Sequence, residues 1–303
     1  MKLFFYQLFY KPTINYCVRN FLKLFAPILP NSLKIPVSGK IKIKVNDTKQ
    51  ISFQTNETSP MTKILFWEDR GCTFEFSHIF KHIIQSSSTF FDVGANIGYY
   101  SLLAKSLNPS IDVFSFEPSK GPNFFLRQNI KLNHFDSIHI IEKAVGSEPG
   151  AIEFYEEKNP KYAYQKYHAS GIGNTANTWG INNFLKYQVE LTTLDHISNE
   201  FELKQLDLIK IDTEGTENFV FQGAKETIER FKPIIICEVL PNKIEKEIQS
   251  IIDQLNYMMF QFQSNLNCLL RIDNLSEATL NGETNYFFVP TEKEFLISDF
   301  VSK

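Results

Sequence analysis

Cysteine is scarce in this 303-residue chain: Cys17, Cys72, Cys237 and Cys268 lie far apart, and no C-x-x-C pair occurs. That spacing carries neither a zinc pattern nor a disulfide framework, and the expected setting is reducing and cytoplasmic. Net charge is nearly absent too. Thirty-one cations against 34 anions leave −3, too little to build the field that gathers nucleic acid. No apolar run reaches the roughly 20 residues of a membrane span. The aromatic start (Phe4, Phe5, Tyr6, Leu8, Phe9, Tyr10) stops at Lys11-Pro12. No small-residue cleavage site follows, so a secretory leader is not expected. Internal repeats and low-complexity tracts are missing as well.

Acids are missing from the first 46 residues. Lys2, Lys11, Arg19, Lys23, Lys34, Lys40, Lys42 and Lys44 precede the first carboxylate, Asp47. A cationic, aromatic segment of this kind either lies on an anionic membrane surface or packs as a helix on the rest of the chain or a partner. Prolines 27, 30 and 36 close it, which sets residues 1–36 apart as a basic aromatic segment. Residues 37–88 then read as a hairpin and a helix leading into the core. Lys40–Val45 alternates strictly, Asn46-Asp47 makes a turn, and Gln50–Phe53 pairs back.

Residues 89–303 form the main domain. Strand patterns at Thr89–Val93, Ile111–Phe116, Ile138–Ala144, Leu206–Ile211 and Pro233–Leu240 alternate with helical ones at Tyr99–Leu107, Pro122–Leu132 and Glu217–Phe231. Such alternation implies a parallel sheet covered on both faces. Ile152–Tyr155 reads as a further strand, and Tyr257–Gln261, Cys268–Ile272 and Glu283–Pro290 as late ones. Asn281-Gly282 is a hairpin-type turn.

The most informative stretch is FDVGANIGYYS, Phe91–Ser101. An apolar strand ends in Asp92, a glycine-bearing turn follows (Gly94, Ala95, Asn96, Gly98), and an amphipathic helix begins. Turns at the carboxyl ends of such strands are natural ligand sites. The next strand ends in Glu117-Pro118, roughly 20 residues on, where nucleotide-binding α/β units place a carboxylate on ribose hydroxyls. Dinucleotide sites want G-x-G-x-x-G, so that bare N–H groups meet a pyrophosphate. Here the first glycine pair is missing, and Asp92 would aim negative charge at the ligand. A cationic ligand with a ribose and no phosphates fits better, and S-adenosylmethionine is one.

A second cluster is Leu206–Gly215. On a strand, Lys210 and Asp212 share a face, and Glu214 joins them if the chain stays extended. Burying such an ion pair is unfavourable unless function requires it. Glu238 closes the following strand and is a candidate member of the group. Residues 157–184, rich in Tyr, Asn, Gly and His (Tyr162, Tyr164, Tyr167, His168, Gly171, Gly173, Asn174, Asn177, Trp179, Gly180), form a long irregular loop suited to a polyhydroxylated acceptor. His168 is a candidate base there.

FDVGANIGYYS, FSFEP, KAVG (Lys143–Gly146), TTLDHI (Thr192–Ile197), LIKIDTEGTE (Leu208–Glu217) and IICEV, taken in order, resemble the FkbM family of S-adenosylmethionine-dependent methyltransferases. The resemblance implies the class I methyltransferase fold, a doubly wound α/β sheet of seven strands, mostly parallel, with the last strand antiparallel. It also implies O-methylation, often of sugar hydroxyls in glycans, glycolipids or natural products. Asp92, Gly94, Ala95, Asn96 and Gly98 would then form the cofactor turn, Glu117 would hold the ribose, and Ala144 and Val145 would lie near the adenine. Asp212, Glu214 and Lys210 would line the reaction site, with a carboxylate as general base and no metal required. The family often carries a serine-rich stretch after the AVG element, whereas this chain reads HASGIGNT (His168–Thr175). Two other readings remain: an NAD-dependent reductase, and a non-catalytic cofactor-binding protein at a membrane surface.

Overall fold

A computed structural model describes residues 2–68, 74–135, 137–170, 183–241, 244–278 and 281–302. Two helices come first, α1 (Lys2–Phe9) and α2 (Pro12–Lys23), then the antiparallel hairpin of β1 (Gly39–Lys44) and β2 (Gln50–Thr55). The strict alternation of β1 places Ile41 and Ile43 inside and leaves its lysines outside. Helices α3 (Pro60–Trp67) and α4 (Ser77–Gln85) lead to the first core strand.

The core strands are β3 (Thr89–Val93), β4 (Asp112–Phe116), β5 (Ile138–Ile141), β9 (Leu208–Ile211), β10 (Ile234–Glu238), β11 (Tyr257–Gln263), β12 (Cys268–Ile272) and β13 (Asn285–Pro290). They form one eight-stranded sheet in the order β12-β11-β13-β10-β9-β3-β4-β5. From β5 to β10 every pairing is parallel, and β13 is antiparallel to both its neighbours. This is a doubly wound sheet with an antiparallel last strand, as expected. The eighth strand, β12, adds an edge outside β11.

Successive side chains of the buried strands feed opposite faces. Phe90 joins a core with Ile79, Phe80 and Leu103 from α4 and α5 (Tyr99–Leu107), together with Leu126 from α6 (Lys120–Leu132). Phe91 joins the core on the other face. There it meets α7 (Leu194–Glu200), α8 (Glu217–Gln222), α9 (Lys225–Phe231) and α10 (Glu245–Leu255), the last followed by the short α11 (Leu275–Ala278).

Several boundaries differ from the sequence reading. Ile138–Ala144 is not one strand: β5 stops at Ile141, and Ala144–Val145 forms β6 in a separate three-stranded sheet, order β6-β8-β7. Its other members are β7 (Gly150–Glu157) and β8 (Phe184–Thr192), paired over their full lengths. β8 was not foreseen. The helix expected over Glu217–Phe231 breaks into α8 and α9 at Gly223. Asn281-Gly282 closes no hairpin, because β13 pairs with β10 and β11 rather than with β12. Of the irregular loop, residues 171–182 (Gly171, Gly173, Asn174, Asn177, Trp179 and Gly180 among them) lie outside the described residues.

Candidate active site

The strand β3 ends at Val93, and the chain reaches α5 through Gly94–Gly98. Every N–H of this turn already donates within the protein. Gly94 and Ala95 both bond the Phe116 carbonyl at 3.0 Å, and Asn96 bonds Glu117 Oε2 at 2.8 Å. Ile97 bonds Asn96 Oδ1 at 2.8 Å, and Gly98 bonds the Ala95 carbonyl at 2.8 Å. Gly94 has φ +77°, and a Cβ there would lie 1.8 Å from the Asp212 carbonyl oxygen. Only glycine lets the ends of β3 and β9 approach this closely. Asn129 of α6 supports the turn from behind, donating to the Ile97 carbonyl at 2.9 Å and accepting from Gln54 N–H of the hairpin at 2.6 Å.

Beneath the turn runs a buried polar row. Ser115, Asp92 and Lys210 are register partners across β4, β3 and β9. The Ser101 hydroxyl of α5 donates to Asp92 Oδ2 at 2.5 Å and lies 2.7 Å from the Ser115 hydroxyl. Among the described residues Asp92 Oδ1 has no hydrogen-bond partner. Burial pushes the Asp92 carboxyl up, and the Lys210 charge opposes it. Burial alone would depress the Lys210 ammonium, yet Asp212 and Asp92 around it hold it above its ordinary value. Lys210 Nζ lies 3.0 Å from Asp212 Oδ2 and 3.4 Å from the Gly94 carbonyl.

Past β9 the chain does not stay extended. Glu214 has φ +61° and Gly215 φ +102°, so Glu214 reaches the site from a tight loop rather than by strand alternation. Glu217 holds that loop. Its Oε1 accepts from Thr213 N–H at 2.9 Å, Thr213 Oγ1 at 3.0 Å and Gly215 N–H at 3.0 Å. Glu238, at the end of β10, accepts from Thr284 Oγ1 at 3.2 Å. Burial, together with the charges of Asp212 and Glu214, pushes its carboxyl well above the usual range.

Above these strand ends lies a cavity of about 460 Å³. Gly94, Ala95, Asn96, Glu117, Ala144, Val145, Lys210, Asp212 and Glu214 all line it. Asp92 and Gly98 do not: Asp92 sits in the row below, and Gly98 caps α5 at φ +94°. Glu117 is buried, with Oε2 on Asn96 N–H and Oε1 on Ser119 N–H, each at 2.8 Å. Burial pushes its carboxyl up to about 7 against those bonds. A carboxylate offers about four acceptor positions; with the Ser119 hydroxyl as a third donor beside the two N–H groups, at least one position of Glu117 stays open. His168 is buried away from the cavity, its Nδ1 3.5 Å from Asn159 N, and is not brought to the site.

Two contributors escaped the sequence reading. The three-stranded sheet supplies an apolar wall of Ile152, Phe154 and Leu191. Glu75, at φ +47°, lines the cavity and accepts from the Tyr100 hydroxyl at 2.8 Å. Burial raises its carboxyl, and Asp212 raises it further. No motif marks Glu75. The signal for β8 is its own alternation, Leu185 to Leu191, whose partners Glu156 to Gly150 lie on the far side of the irregular loop.

This arrangement favours a cationic ligand carrying a ribose. Four carboxyl groups line the cavity (Glu75, Glu117, Asp212 and Glu214) against two lysines (Lys143 and Lys210), with Asp92 in the row below, so the lining has an excess of acids. Among the described residues no group of His, Cys, Asp and Glu is arranged to hold a metal ion.

The methyltransferase FkbM domain is matched over residues 92–263. The chain belongs to this family of methyltransferases. It is similar to the methyltransferase sdnD of Sordaria araneosa, 25% identical over 185 residues that cover 54% of this chain and 70% of that protein. It is similar to the 2-O-methyltransferase NoeI of Sinorhizobium fredii, 27% identical over 141 residues, 45% of this chain and 57% of that one. The 31-O-demethyl-FK506 methyltransferase FkbM of Streptomyces tacrolimicus is 27% identical over 154 residues, 45% of this chain and 59% of its own length. The chain thus spans little more than half the length of two of these three relatives.

Proposed function

We propose that this methyltransferase moves a methyl group from S-adenosylmethionine to a hydroxyl of a small-molecule or sugar-bearing acceptor. One observation carries the reading: a cavity above the neighbouring strands β9, β3 and β4, lined by Glu117 after β4 and by Lys210, Asp212 and Glu214 in and after β9. The names of two relatives, a 2-O-methyltransferase and a 31-O-demethyl-FK506 methyltransferase, place their chemistry on oxygen. When bound, S-adenosylmethionine supplies a methyl carbon attached to a sulfonium.

The chain's own residues do the rest. Glu117 binds the ribose diol, with Ala144 and Val145 against the base. Gly94, Ala95, Asn96 and Gly98 shape the turn. Asp92 acts through the row below, keeping negative charge under the amino-acid end and holding Lys210 charged. Asp212 or Glu214 takes the acceptor proton, a contribution worth about 10²–10⁴-fold. Lys210 fixes the Asp212 carboxylate toward the acceptor. Alignment of the acceptor oxygen with the transferred carbon supplies the larger part of the rate. Residues 89–303 would hold most of this machinery, with residues 37–88 bracing α6 and the turn and adding Glu75 to the cavity, and residues 1–36 outside it.

The reductase alternative fails on the turn. With all five N–H groups engaged inside the protein, none is left to cradle a pyrophosphate. Titration calorimetry with S-adenosylhomocysteine and with NADH separates the two. Micromolar binding of the first and none of the second supports methyl transfer, and the reverse overturns it. Asp212→Asn and Glu214→Gln, each assayed with a panel of hydroxylated acceptors at saturating cofactor, test the base. At least one should lower turnover about 100-fold or more. If both keep wild-type turnover, neither is the base. Cofactor binding without turnover on any acceptor would favour the non-catalytic reading.

A further inference from the structure

The helix α2 is inside out. Its polar residues Asn15 and Arg19 are buried against the domain. Arg19 donates through Nη1 to the Ser38 carbonyl at 2.5 Å and through Nη2 to the Lys40 carbonyl at 2.6 Å. Asn15 donates to the Pro36 carbonyl at 3.1 Å and accepts from Ser38 N–H at 2.8 Å. Lys23 donates to the Phe66 carbonyl. These bonds make the polar residues the docking face, so Tyr16 and Phe21 turn outward while Ile14, Val18 and Leu22 stay half-buried at the flanks. Phe21 is 63% exposed, Leu24 76% and, in the turn that follows, Ile28 81%. Helix α1 adds Phe4 at 65% and Phe5 at 60%, while its Tyr6 and the Tyr10 just after it pack on Tyr162. Large apolar side chains grouped like this on a protein surface mark an interaction face.

We infer that the outward face of α1, α2 and the turn after them rests on an anionic lipid surface. Charge selects the occupant. Residues 1–46 hold eight cations and no acid, of which Arg19 and Lys23 bond inward and six lysines remain, whereas the remainder of the chain holds 23 cations and 34 acids. Lys11 and Lys40 are exposed in the basic segment. A two-fold dimer through this face would set basic segment against basic segment, and docking it on the acidic remainder of a second copy would build rings or filaments rather than a pair. An anionic bilayer meets both properties at once: headgroups attract the lysines while Phe, Leu and Ile enter the acyl boundary. Among the described residues no helix is long and apolar enough to cross a membrane, so the contact is interfacial.

The test uses the full chain with extruded vesicles, one set of pure phosphatidylcholine and one containing a third phosphatidylglycerol. The chain should sediment with the anionic set at least about tenfold more strongly than with the neutral set, and high salt should weaken this. The triple variant Phe21→Ser, Leu24→Ser, Ile28→Ser should lose at least a further tenfold. These positions are exposed, so its melting temperature should match wild type, which excludes misfolding as the cause. Equal binding to both vesicle sets, no binding to either, or an unaffected triple variant would overturn the inference. So would a dimer in solution that the triple variant dissolves without any vesicle binding. Vesicle binding needs no cofactor, so its failure leaves the methyl-transfer reading standing, and the reverse.

Discussion

Acidifying from pH about 8 to about 6 should weaken S-adenosylhomocysteine binding roughly tenfold, and Glu117 should be the reason. Its carboxyl is pushed up to about 7 by burial at the end of β4, against the bonds from Asn96 and Ser119. A ribose diol donates two hydrogen bonds and needs an ionised acceptor. At pH about 6 some nine-tenths of the groups are protonated, and a protonated carboxyl turns one acceptor position into a donor. If only the carboxylate binds well, affinity falls about tenfold, or about 1.4 kcal/mol. Calorimetry across this range at fixed ionic strength measures it, with Glu117→Gln as control. The variant should bind weakly and without pH dependence. Affinity that stays flat or rises on acidification in the wild type would refute the assignment. The fold itself should respond with the opposite sign. The folded carboxyl titrates above its ordinary value of 4.5, so the folded chain keeps a proton that the unfolded chain has lost. Its stabilising contribution is complete below about 4.5 and is lost as pH rises to about 7. The unfolding free energy of Glu117→Gln minus that of wild type should therefore rise by about 3 kcal/mol over that window. Chemical denaturation at the two ends reads it.

Two further outcomes follow from the packing. Gly94→Ala should destabilise by about 3–5 kcal/mol and abolish cofactor binding, because its Cβ would fall 1.8 Å from the Asp212 carbonyl at a φ of +77°. A melting temperature within about 2 °C of wild type would contradict this. Glu217→Ala should lower turnover more than it raises the cofactor KM, since three donors of the Thr213–Gly215 loop lose their acceptor. Glu217→Gln keeps an oxygen there and should recover most of the turnover; equal loss in both variants would show that the charge, not the loop geometry, matters.

The parts of the site that were legible in the sequence are those whose geometry is local. Asp92, the glycine turn and Glu117 lie on consecutive strands joined by one helix, and register places them together as soon as the strand–helix–strand pattern is read. Lys210 lies on β9 and Asp212 one residue past its end, where Asp212 N–H still bonds the Val93 carbonyl, so a shared face brings the two side chains to 3.0 Å. Glu214 is the instructive exception. Strand alternation is not what brings it beside them: β9 stops at Ile211, and the left-handed residues Glu214 and Gly215 return the carboxylate through a loop that Glu217 holds. What remained hidden depends on long-range closure. Glu75 has meaning only once Tyr100 stands opposite it, 25 residues later. Phe154 and Leu191 become one wall only when β7 and β8 pair across the irregular loop.

The N-terminal segment shows why periodicity alone misleads about orientation. A pattern fixes that a helix has two faces, not which one the domain takes. Apolar burial normally decides, at about 25 cal/mol per Å² of surface removed from water. Here Val37, Ile41, Ile43 and Phe53 already close the hairpin core. What the β1 edge and the irregular segment leading to it still present is backbone unpaired within the hairpin, the carbonyls of Pro36, Ser38 and Lys40 and the N–H of Ser38. Left dry and unpaired, each such group costs about 1–3 kcal/mol. Arg19 and Asn15 satisfy all four with charged or amide groups that themselves would be costly to bury alone. The polar face therefore wins the protein, and the apolar face is left for another solvent. That inversion was invisible in the composition of the segment, because it is set by the hydrogen-bonding need of a strand edge some 20 residues away.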